Sequence, residues 1–69
     1  MNLQKTKYTV WLQTVDGRAY VVDILPIVEI ANNYDVSVKH IITCIEKGEA
    51  FATTEKGKYV AVLKEDYAS

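Results

Sequence analysis

The stretch Pro26–Gly48, PIVEIANNYDVSVKHIITCIEKG, decides how the chain is read. Pro26 suits the first turn of a helix, where its missing N–H costs nothing, and Glu29 favours the positive end of that helix. Ile27, Ile30, Ala31 and Tyr34 recur at i, i+3, i+4 and i+7, which lays one apolar stripe along it. Asn33, Tyr34 and Asp35 break the stripe, because Asn and Asp bond nearby backbone and favour turns. Ser37 is placed to cap a second helix, striped by Val38, Ile41, Ile42 and Ile45. Lys39, His40, Thr43, Glu46 and Lys47 fall on its other side, and Gly48 fits the left-handed position that ends it. Two short helices meeting at a tight corner have the form of a helix-turn-helix.

The flanks read as hairpins. Tyr8–Val15, YTVWLQTV, is rich in β-branched and aromatic residues, and Asp16-Gly17 supplies a two-residue type I′ turn into a return strand, Arg18–Ile24. Pairing outward from that turn sets Gln13 opposite Tyr20, Trp11 opposite Val22 and Thr9 opposite Ile24, with Leu12 and Val21 sharing the other face. Both faces are apolar. Trp11, Tyr20, Val22 and Ile24 are the heavier set and are expected in the core, which leaves Leu12 and Val21 partly exposed or covered by a partner. Glu49–Thr54 and Lys58–Leu63 form a second hairpin around Lys56-Gly57, with Phe51, Val60 and Val62 on one face. Met1–Thr6 reads as a solvated start and Glu65–Ser69 as a polar tail. The expectation is an α+β fold of order ββααββ in one small domain spanning residues 1–69: a hairpin over 8–24, the helix pair over 26–48, a second hairpin over 50–64.

Composition narrows the functions. The 69 residues are 49% hydrophobic and 25% charged, with a net charge of −1, so the chain is globular and lacks the cationic surplus of a strong phosphate binder. One cysteine, Cys44, makes no internal disulfide, and its position marks a small buried hydrophobe. With no disulfide, no leader and no long apolar run, a cytoplasmic protein without a membrane partner is expected. A single His and a single Cys, with no Gly-rich phosphate loop, give no acid–base pair, no activated nucleophile and no metal set. Neither enzyme activity nor a cofactor is expected.

A helix-turn-helix needs a small residue where its helices cross, a corner about four residues on, and apolar anchors beyond it. Ala31, Asp35, Val36 and Ile41 occupy those places, with Cys44 at the last buried position. Ser37, Lys39, His40 and Thr43 would then face a major groove and Lys47 a phosphate, while Lys56 and Lys58 at the second hairpin would act as a wing. The run from Tyr8 to about Val62 resembles the NUMOD-type modular DNA-binding repeats in the tails of homing endonucleases. The resemblance rests on TVWLQTVDGR followed by the helix pair, with Ile27, Glu29, Ala31, Tyr34, Val36, Ser37, Ile41, Ile45 and Gly48 at the matching places. It implies a small regulatory module for double-stranded DNA, and one so small would act as a homodimer. The alternative is a protein-interaction module, such as a phage-like inhibitor of a host protein, whose patch would comprise Leu12, Tyr20 and Val21 or Val38 and Ile42. In its acidic form, Glu46, Glu49, Glu55, Glu65 and Asp66 would mimic phosphates.

Overall fold

The computed structural model describes residues 6–63. Its elements are β1 (Lys7–Thr14), β2 (Ala19–Pro26), α1 (Ile27–Tyr34), α2 (Val38–Lys47), β3 (Ala52–Thr54) and β4 (Gly57–Leu63), the expected α+β order. The two hairpins are halves of one antiparallel sheet ordered β2-β1-β4-β3, so β1 and β4 meet at its centre. Of the solvated start, only Thr6 is described, and it is buried; the tail at Glu65–Ser69 lies outside the described residues.

The register departs from the expected one near the first turn. The first turn holds three residues, Val15–Gly17, not two: Thr14 N–H donates to Arg18 O at 2.8 Å, and Gly17 takes φ 91°. That loop form, a turn closed by a left-handed glycine, shifts the upper pairing by one residue. Gln13 therefore pairs with Ala19, Leu12 with Tyr20 and Trp11 with Val21. A bulge at Val22 then restores the count, so Val10–Asp23 and Thr9–Ile24 pair as expected.

The helices cover the face that carries Val10, not the one that carries Trp11. Val10, Ile27, Ile30, Ala31, Ile41, Cys44, Phe51 and Ala61 form the buried core, with Tyr8, Leu25, Tyr34, Val36, Ala52 and Tyr59 packed around it. The helical stripes therefore hold, and Cys44 is buried where the corner spacing placed it. The strand assignment fails: Tyr20, Val22 and Ile24 are 46%, 41% and 42% exposed, and Trp11 is half-buried outside the core. Phe51 likewise parts from Val62, since it packs with Ala61 while Val62 lies open.

Tyr34 closes α1 onto the sheet. Its ring meets Phe51 edge-on at 5.3 Å and tilts against Tyr59 at 5.0 Å. Its hydroxyl donates to the Asp23 carboxylate at 2.7 Å. Burial, then the hydrogen bond to Asp23 and that residue's charge, raise the Tyr34 pKa well above the tyrosine range. The fold thus favours the neutral phenol, and this contribution is intact below about pH 10 and falls as pH rises beyond it. Tyr34→Phe should lower stability by about 1–2 kcal/mol in a urea titration, with an unchanged slope, because Asp23 loses a donor to a charged acceptor. The variant should also lose part of the wild type's alkaline destabilisation.

Candidate functional site: a helix corner and an uncovered sheet face

The corner forms as its residue types require. Asp35 adopts φ 55° and ψ 47°, the left-handed conformation that Asp tolerates better than bulkier side chains, and its N–H donates to Ala31 O. Val36 N–H reaches the same carbonyl at 3.1 Å. Ser37 Oγ accepts from His40 N–H at 3.0 Å, which caps α2, and Gly48 at φ 69° ends it.

On the outer surface of α2, Ser37, Lys39 and His40 are exposed and Thr43 is half-buried. The His40 ring bends back, its Nε2 lying 3.0 Å from Phe51 O. A carbonyl only accepts, so Nε2 carries the hydrogen and ties α2 to the segment entering β3. The same nitrogen lies 3.7 Å from Cys44 Sγ, and with its lone pair committed to N–H it gives the buried thiol no base. Thr43 Oγ1 donates to Lys39 O at 3.0 Å within the helix. Val38 and Ile42 are partly buried against the core, so they form no separate patch. Lys39 remains exposed, and Glu46 follows Thr43 by three residues on the same helix surface.

The lysines do not share a side. Lys47 closes α2, where a cation complements the helix dipole, and Lys56 sits in the second turn. Lys58 pairs in register with Gln13, which the strand alternation turns away from the helices. The carboxylates scatter as well: Glu46 is on α2, Glu49 beyond it and Glu55 in the second turn. Glu65 and Asp66 lie outside the described residues. Asp16 pairs with Arg18 at 3.7 Å on the exposed first turn, an ion pair worth little in water.

The larger feature is the sheet face on which, among the described residues, no helix lies. Alternation from the buried Val10 turns Trp11 outward, and Val21 of β2 and Val60 of β4 flank it in register. Val22, the bulge residue, is 41% exposed, and Ile24 and Val62 are each 42% exposed on either side of Thr9. Leu12 and Tyr20 pair with each other on the helical side, so they share no patch with Val21. The face turns polar at its β3 margin. There a groove of about 480 Å³ is lined by Gln13, Gly48, Glu49, Ala50, Thr53, Lys58 and Val60.

Sequence reasoning missed this face because both strand parities of YTVWLQ are apolar. One signal could have found it. Two helices of eight and ten residues supply a single covering layer, so whichever face they choose, the other stays bare.

Among the described residues, no helix is long and apolar enough to cross a membrane, and no three His, Cys, Asp or Glu side chains gather as a metal site. Comparison with protein-family models, with curated proteins and with solved structures finds no match to this chain.

Proposed function

We propose that this chain is a non-enzymatic binding module that docks a protein on the uncovered face of its sheet. A reducing compartment such as the cytoplasm suits its buried free thiol. The observation that carries the reading is the apolar centre of that face, Trp11 between Val21 and Val60, continued by Ile24 and Val62. A contiguous apolar surface rimmed by polar groups is the usual mark of a protein contact. Double-stranded nucleic acid would need a cluster of cations there, and, among the described residues, the two lysines that alternation puts on it, Lys7 at the start of β1 and Lys58 opposite Gln13, stand at opposite ends. A photo-crosslinking side chain in place of Val62 tests the reading when irradiated in cells, with the same group at Lys39 as control. Protein adducts are expected from position 62, and their absence there would overturn it.

A second reading keeps a specific observation behind it. The left-handed Asp35 corner and the exposed Ser37 and Lys39 at the start of α2 are what a groove-reading helix presents. This reading, a small regulatory DNA-binding module, agrees with the NUMOD-type resemblance. It requires random duplex to be retarded at low salt and released as salt rises. The protein-docking reading expects no retardation at any concentration tested.

A further inference from the structure

The inference that follows rests on the protein-docking reading and names what covers the face. We propose that the occupant is a second copy of this chain, the two open faces stacked about a twofold axis into a sandwich with the helices outside. Shape favours it. A four-stranded sheet carries a right-handed twist, and a second sheet of the same twist matches it at about −30° with a spacing of about 10 Å. Chemistry favours it too. Trp11, Val21 and Val60 make an uncharged centre, while the charges stand at its two ends, Lys7 at one and Lys58 beside Glu49 at the other. Two copies therefore stack without like charges across the middle, and a highly charged partner finds nothing there to pair with.

Area sets the strength. Three strands at about 4.8 Å spacing and seven residues at about 3.3 Å, with the three residues of β3 beside them, give each copy about 380 Å². Two such faces bury about 760 Å², well below the roughly 1,200–2,000 Å² of a stable complex. The dimer is thus reversible, with each copy keeping its own core. Association along a sheet edge is the poorer route. The bulge at Val22 interrupts the β2 edge, and the β3 edge offers three residues.

Sedimentation equilibrium of the full chain, from about 10 µM to about 1 mM, tests this alongside tryptophan emission. The mean mass should climb from 7.8 kDa toward twice that value. Emission from Trp11, the sole tryptophan, should shift to the blue in step as a second sheet covers it. Ile24→Lys and Val62→Lys should each weaken association at least about tenfold, about 1.4 kcal/mol, with far-ultraviolet circular dichroism unchanged. Lys39→Glu should not affect association. A 7.8 kDa species throughout would overturn the proposal. So would a dimer that both lysine variants leave intact. If the chain stays monomeric while position 62 still crosslinks other proteins, the twofold sandwich falls and the docking face stands; if both fail, both readings fall.

Discussion

Gly57→Ala should strip the protein of much of its stability. Gly57 begins β4, is buried, and pairs with Thr14 on one side and Thr54 on the other. Its φ of 151° lies in a region that only glycine visits readily. A Cβ there would stand 2.1 Å from Gln13 O and 2.9 Å from both Gln13 C and Thr14 Cα. Those are backbone atoms of the central strand, so no side-chain rotation relieves the contact. Strain and overpacking together place the cost at roughly 3–5 kcal/mol, at the severe end for one substitution. A domain of this length holds only about 3–10 kcal/mol in total. Thermal unfolding followed by circular dichroism should show a fall in midpoint of tens of degrees or no folded baseline. Gly17→Ala is the control: it also disturbs a positive φ, but its Cβ would meet nothing within 4 Å, so the loss should be much smaller.

The second large effect is expected at Ile41→Ala. Ile41 is fully buried on α2, in the cluster that also holds Val10, Ile27 and Ile30. Truncation removes three carbons and leaves a cavity that the sheet cannot collapse to fill, for a loss of about 2–5 kcal/mol. Val38→Ala, one turn earlier and only partly buried, should cost less. The ratio of the two urea midpoints reports how deeply α2 seats on β4. If Val38→Ala proved the costlier, α2 would be rotated from the position described.

Much of this architecture was legible in the residues because helix periodicity and caps are local. Ile27, Ile30 and Ala31 could face only one way along a helix, and Asp35, Ser37 and Gly48 each sit where their own backbone preference puts them. The sheet was less legible because strand alternation has two equivalent answers when both faces are apolar. A three-residue turn at Val15–Gly17 and a bulge at Val22 then cancelled each other, so half the pairing followed the expectation and half did not. The partnership of β1 with β4 joins residues about fifty apart, which no local pattern announces. Lys58, expected with Lys56 as a wing beside the second helix, was set apart for the same reason: strand parity puts it on the side away from α2. His40 stays exposed, but one of its ring nitrogens is tied to a carbonyl beyond the helix, that of Phe51.

The most direct measurement is the attenuation of methyl resonances by a soluble paramagnetic agent, in the intact chain diluted below self-association. The methyls of Val21, Val22, Ile24 and Val62 should fade strongly, and those of Ile27, Ile30 and Ile41 should persist. Protection of the first set at dilution would mean that the chain covers that side of its sheet itself. A docking face could not then be there.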